Sequence, residues 1–318
     1  MRSSRHRRAT ACHPPHNSTC AVVPDPDYRI WPGYGPDTAR IRFGYGLDTV
    51  WKMTVAPDLY ELSADLVAEH DQLDEMVATL DDAQWDRQTP AIGWAVRDQI
   101  SHLAFFDDAA ALALEDPDAF VPLSQAASDA LVAGDDPMRE HLARGRAMTP
   151  GDLLEWWRRA RERLLVVASV TDPKARVPWF GPPMGARSFL SARVMETWAH
   201  GQDVADAFGL TRPATDRLRH VAHLGVGSRE FSYALRSMDV PDEPVRVELQ
   251  ARSGAIWEWG PAGASSSVTG SALDFCLVVT RRRHPSATQL LISGDAAGQW
   301  MEIAQAFAGP PGPERPVT

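Results

Sequence analysis

Between Pro57 and about residue 81, Leu59, Leu62, Leu66, Leu73, Met76, Val77 and Leu80 recur at helical spacing. Pro57 suits the first turn of that helix. His70 fills the gap in the same apolar stripe, so it faces inward and reads as a core histidine. A polar turn at Thr89-Pro90-Ala91-Ile92-Gly93 leads into a second helix over about 94–114, with Trp94, Val96, Ile100, Leu103, Phe106 and Leu112 on one face and His102 among them. Residues 115–147 are looser. Asp116-Pro117-Asp118 and Gly134-Asp135-Asp136-Pro137 read as breaks, leaving one short helix and a loop. Thr149-Pro150 is an N-cap followed by an N1 proline, and the third long helix runs from there to about 170. An aromatic, proline-stiffened stretch, Val177 to Met184, then feeds a fourth helix over about 186–209, with Gly209 as its C′ residue.

Four long amphipathic helices with short links predict an antiparallel bundle. A further helix over about 214–236 carries His220 and His223, which read as surface residues. Beyond it the period changes. Val245–Ala251 and Ile256–Trp259 alternate as strands do, Ser271 with Asp274 marks a helix start for 272–283, Leu290–Ser293 is a short strand, and 298–307 is a last helix. The expected fold is therefore mainly α with a small α+β domain: a helical bundle over 53–238, an α+β domain over 239–309 and a tail over 310–318.

The fourth helix holds an unusual polar stripe. Glu196 and His200 are four residues apart, Asp203 follows three later, and Arg193 precedes by three. At 3.6 residues per turn these groups share one side. Glu and His one turn apart suit a divalent metal, with a further ligand from elsewhere.

Composition narrows the setting. The 318 residues suffice for two domains, and 44% hydrophobic residues is ordinary for a globular chain. No apolar run reaches the roughly 20 residues of a membrane helix, and no apolar segment follows the arginine-rich start, so the cytoplasm is the default compartment. The net charge is −10, and the acidic body argues against nucleic acid as a partner. Residues 1–52 lack periodicity and are expected to be a disordered extension, with Met53 as an alternative start. Cys12, His13, His16 and Cys20 lie there without the spacing of a zinc finger. Cys276, in an apolar run, reads as a small buried hydrophobe.

Taken together, Gly93-Trp94-Ala95-Val96-Arg97-Asp98-Gln99-Ile100-Ser101-His102-Leu103 and Glu196-Thr197-Trp198-Ala199-His200-Gly201-Gln202-Asp203 resemble the DinB-like metal-binding bundles, and in particular the mycothiol-dependent maleylpyruvate isomerase family. The resemblance spans about residues 57–309 and implies a four-helix bundle followed by a small C-terminal domain. It implies His102, Glu196 and His200 as zinc ligands, mycothiol as a thiol cosubstrate and a small electrophile as substrate. An arginine ending the helix at 272–283 also has a family counterpart, which points to Arg281. Asp203 is expected to orient a ligand or support the site. Arg281, or a neighbour in its run, is expected to clamp a carboxylate, or else to complement the helix dipole. The stretch from Trp179 to Met184 and the run Arg217–His223 look more like an uncharacterised metal-binding branch than the isomerase itself. The expected activity is thiol-dependent transfer or isomerisation. A metal-dependent hydrolase and a non-catalytic binder of a small or lipid-like molecule are the alternatives.

Overall fold

The computed structural model describes residues 57–309, together with a short antiparallel pair, β1 (Arg29–Ile30) and β2 (Ile41–Arg42). The rest of the N-terminal extension, its Cys/His group and the C-terminal tail lie outside the described residues.

Four long helices form the bundle: α1 (Pro57–Val77), α3 (Val96–Glu115), α6 (Pro150–Ser169) and α7 (Ala186–Ala207). A one-turn helix, α2 (Asp82–Trp85), joins the first two and is closed by a capping box between Asp81 and Gln84. In the ring, α3 packs on α6 and α7, and α1 packs on α7 and α6. The leucine stripe of α1 is fully buried, as the spacing predicts. A polar hub lies among the four helices. Asp107 of α3 accepts two hydrogen bonds from Arg193 of α7, at 3.0 and 2.9 Å, and one from the Trp157 indole of α6, at 3.1 Å. His70 of α1 stands 3.5 Å from the same carboxylate. All four side chains are buried. His70 does face inward, against Asp107 and the edge of Trp157.

The stretch 115–147 differs from the expectation of one short helix and a loop. It holds α4 (Pro117–Ala133) and α5 (Arg139–Arg146). Asp116-Pro117 is an N-cap and an N1 proline, with the Asp116 carboxylate accepting from Ala119 N–H. It starts a helix in the way Thr149-Pro150 starts α6. Reading it as a break missed that equivalence. The expected helix 214–236 is likewise two, α8 (Leu218–Gly227) and α9 (Arg229–Ala234), interrupted at Ser228.

The C-terminal part is a mixed four-stranded sheet. Its strands are β5 (Val245–Gln250), β6 (Ile256–Trp259), β7 (Ser266–Ser271) and β8 (Leu291–Ser293). β5 and β6 form a hairpin, β7 runs parallel to β5, and β8 returns antiparallel to β7. β7, Ser-Ser-Val-Thr-Gly-Ser, escapes the sequence pattern because Val268 is its one apolar residue. Pairing on both edges, not hydrophobicity, makes it a strand. Helices α10 (Ala272–Val279) and α11 (Asp295–Ile303) complete the layer, and Ser271 caps α10 by accepting from Asp274 N–H. Cys276 is buried in this core, and burial pushes its thiol well up, in keeping with a small hydrophobe.

The described residues 57–309 form one compact unit. The core of the sheet layer is continuous with the bundle, since Met195, Trp198 and Ala199 of α7 pack in the same apolar cluster as Val247, Phe275 and Trp300. Among the described residues no helix is long and apolar enough to cross a membrane.

Candidate metal centre

α3 and α7 lie side by side, and one turn of each supplies the site. Among the described residues, His102, Glu196 and His200 are the group whose potential ligand atoms lie within 4.8 Å of one another. His200 Nε2 is 3.2 Å and His102 Nε2 3.9 Å from the same oxygen, Glu196 Oε2. Bonds of 2.0–2.2 Å at tetrahedral angles separate neighbouring ligand atoms by about 3.4 Å. The observed spacings bracket that edge, so the donors fit a small divalent cation with little rearrangement.

The protonation states suit it as well. Burial pushes His102 down to about 3, helped by His200 and opposed by Glu196. Burial alone would raise the Glu196 carboxyl, but the two imidazoles beside it outweigh that and hold it well below the usual carboxylate range. A neutral imidazole and an ionised carboxylate are the forms that bind metal. The site is reachable, because Glu196 keeps 22% of its side-chain surface exposed.

Aromatic rings wall the cluster. Trp94 stacks on His200 at 5.9 Å between ring centroids and lies 5.3 Å from His102. Phe106, one turn after His102, packs on it at 4.4 Å. Trp179 and Phe180, from the link before α7, extend this wall over Phe106 and Phe120. That link sits between β3 (Arg176–Val177) and β4 (Met184–Gly185), an antiparallel pair that turns the chain into α7.

Sequence reasoning did not single out His141, and the structure brings it to the same wall. It stacks on Phe105 at 4.5 Å, with its ring 5.7 Å from that of His102. Burial pushes it down to about 4. α5 delivers it because that helix is held close to α3. Ser101 Oγ donates to the His141 carbonyl at 2.6 Å, Arg146 pairs with Asp98, and a Cβ on Gly145 would fall 2.3 Å from Ser101 Oγ. The missed start of α5 hid the residue. The Asp136 carboxylate accepting from Met138 N–H is the local feature that pointed to it.

The other expected site residues are elsewhere. Asp203 is buried and accepts from Arg282 at 2.7 Å, while Arg283 makes a two-bond pair with Asp206 one turn on. The arginine run therefore ties the end of α10 to α7. The run escapes the helix because α10 ends at Val279 and not near 283. Arg281 follows in the left-handed conformation, φ 61°, and borders a small cavity with Arg283 and His284. Arg282 N–H donates to Leu277 C=O and Arg281 N–H to Val278 C=O, closing the helix as a C-terminal cap. Arg193 serves the Asp107 hub. His220 pairs with Asp65 at 2.8 Å and His223 accepts from the Trp259 indole at 3.3 Å, so neither joins the cluster. Gly201, beside His200, makes room for Arg212, whose guanidinium donates to Trp198 C=O and which a Cβ would approach to 3.1 Å.

Comparison with known proteins places these elements. Residues 66–205 match the mycothiol maleylpyruvate isomerase N-terminal domain, and residues 241–292 match a domain described as wyosine base formation. The second match was not anticipated from the sequence. Two curated relatives, the uncharacterized proteins MT0041 and Rv0036c of Mycobacterium tuberculosis strains CDC 1551 / Oshkosh and ATCC 25618 / H37Rv, are each 47% identical over 249 residues, covering 78% of this chain and 96% of theirs. Crystal structures of the mycothiol-dependent maleylpyruvate isomerase and of a point mutant of it align with TM-scores of 0.45, at 21% and 20% identity, over 70% of this chain and 89% of theirs. With residues 66–205 matching that family's N-terminal domain, and 47% identity to relatives that it covers to 96%, the chain belongs to the mycothiol maleylpyruvate isomerase family.

Proposed function

We propose that this protein binds a divalent metal, zinc, through His102, Glu196 and His200, and catalyses a thiol-dependent isomerisation or transfer on a small electrophile with mycothiol as cosubstrate. The observation that carries the reading is the convergence of two imidazoles and one ionised carboxylate at metal-ligand spacing, in a chain of this family. Three protein ligands leave a coordination position open. A divalent cation there supplies Lewis acidity, which favours the deprotonated form of a thiol sharing the site.

The chain's own groups do the rest. Glu196 is ionised and offsets half of a dipositive charge. Trp94 and Phe106 keep bulk water from the imidazoles and present flat apolar faces to a small substrate. Asp203, through its ion pair with Arg282, holds the last turns of α7 against the sheet layer and so supports the ligand helix. Arg281 is the proposed cation for a substrate carboxylate, on the family counterpart at that position.

The test uses the full chain. We expect about one zinc per chain by elemental analysis, lost in His200→Ala and Glu196→Gln, and turnover of an electrophile that requires both zinc and mycothiol. Absence of zinc from the wild type after reconstitution refutes the ligand assignment. Ester or amide turnover by the zinc form with no thiol present would replace the reading with a metal-dependent hydrolase.

A further inference from the structure

A chain of hydrogen bonds leaves His200 and ends on the backbone, and its direction is fixed from the far end. The Trp94 carbonyl can only accept. The Thr89 hydroxyl donates to it at 2.8 Å. Having used its hydrogen there, Thr89 Oγ1 accepts from Gln99 Nε2, also at 2.8 Å. That contact turns the Gln99 amide so that Oε1 faces His200 Nδ1 at 2.5 Å. An amide oxygen can only accept. The hydrogen between them therefore belongs to His200 Nδ1. Gln99 is fully buried and Thr89 nearly so, which keeps water from offering another arrangement.

The consequence falls on the other ring nitrogen. With Nδ1 committed as a donor, Nε2 is the position left for a cation, and it lies on the Glu196 side, 3.2 Å from Oε2. His102 has no such fixture, since its Nδ1 is buried without a hydrogen bond. The two imidazoles are thus inequivalent: one is locked by the protein and the other is not.

We infer that Gln99 is a positioning residue that holds the hydrogen of His200 on Nδ1 and presents Nε2 to the metal position, and that Thr89 sets the direction of the Gln99 amide. The effect on affinity rests on the metal-binding reading above, whereas the placement of the hydrogen does not. Partners of this kind orient a histidine ligand and raise its basicity, and their loss typically costs 10–100-fold in metal affinity.

The experiment uses full-length protein with 15N-labelled histidine, zinc-free and zinc-loaded. His200 resonances are assigned by their absence in His200→Ala. Wild type is expected to show a protonated, pyrrole-type Nδ1 in both forms. Gln99→Leu is expected to move the hydrogen to Nε2 in the zinc-free protein, where Glu196 accepts it, and to weaken zinc about 10–100-fold in competition with a chelator. Gln99→Glu restores an acceptor at Nδ1 once the Thr89 hydroxyl turns to donate to its other oxygen, leaving the Trp94 carbonyl its bond from Thr89 N–H, and is expected to recover both readouts, which a merely space-filling role would not do. If Gln99→Leu does not fold, Thr89→Val frees the amide to turn and is expected to give a smaller loss of affinity. An unprotonated Nδ1 in either wild-type form overturns the inference. So does a folded Gln99→Leu protein that binds zinc as wild type does, or a Gln99→Glu protein as weak as the leucine variant. Wild type that binds no zinc defeats the metal reading, and the zinc-free spectra then decide the placement of the hydrogen by themselves.

Discussion

Asp107→Asn is the perturbation with the largest expected effect on the bundle. Asp107 carries the one negative charge of a hub to which all four long helices contribute: Arg193 at 2.9 Å, the Trp157 indole at 3.1 Å and His70 at 3.5 Å. Asp107 is 0% and Arg193 2% exposed. The arginine beside it holds the Asp107 carboxyl below the usual range although burial pushes it up. Asparagine keeps the shape and the indole's acceptor but leaves the Arg193 guanidinium without a counter-charge. Removing one partner of a buried pair costs about 3–5 kcal/mol. A domain of this kind is stable by about 5–15 kcal/mol, so the substitution is expected to remove about a fifth of the total or more. Urea unfolding of the metal-free protein measures it, with the midpoint falling and the slope unchanged. Adding Arg193→Met should recover much of the loss, because it removes the orphaned charge. The double-mutant cycle should then show coupling well above 1 kcal/mol. A single variant costing under 1 kcal/mol, or a double variant costing the sum of the singles, refutes the argument. Arg193 lies one turn before Glu196, so the single variant should also weaken zinc.

Two further outcomes follow from local geometry. Arg281 holds φ 61°, a conformation that costs a non-glycine residue about 1 kcal/mol. Arg281→Gly relieves this conformation but also removes a side chain with interactions of its own, so the expected readout is a lower kcat/KM toward a carboxylate substrate, and an unchanged kcat/KM would refute the carboxylate clamp. His141 is held neutral, pushed down to about 4 by burial, whereas an unfolded histidine takes up a proton near 6.5. Its contribution is fully present above about pH 6.5 and is lost as pH falls toward 4, by about 3 kcal/mol at most. Metal-free His141→Phe is expected to show a flatter acid limb in its stability profile, and an unchanged limb would mean that the imidazole is already charged in the fold.

The elements with a strong period were legible in the chain. α1, α3, α6 and α7 follow their apolar stripes and caps to within a few residues, because burying one face of a long helix leaves a repeat that sequence must obey. Glu196 and His200 were legible for the same reason, since spacing within one helix is set by the chain alone. That His102 meets them is a fact of packing between α3 and α7, anticipated through resemblance and not through any periodicity.

What the sequence could not determine is what depends on partners distant along the chain. β7 is a strand because β5 and β8 flank it, although its own residues are mostly polar. His141 reaches the aromatic wall because α5 is clamped to α3 through Ser101, Asp98 and Arg146. Arg193 shares a stripe with Glu196, yet it was claimed by Asp107, 86 positions away in the chain. Asp203 was claimed by Arg282, 79 away. A polar side chain in a buried stripe must find a partner, and the helix fixes only the direction in which it looks. The fold supplies what it finds there, and that decided which polar groups of α7 converge with His102 and which hold the bundle and the sheet layer together.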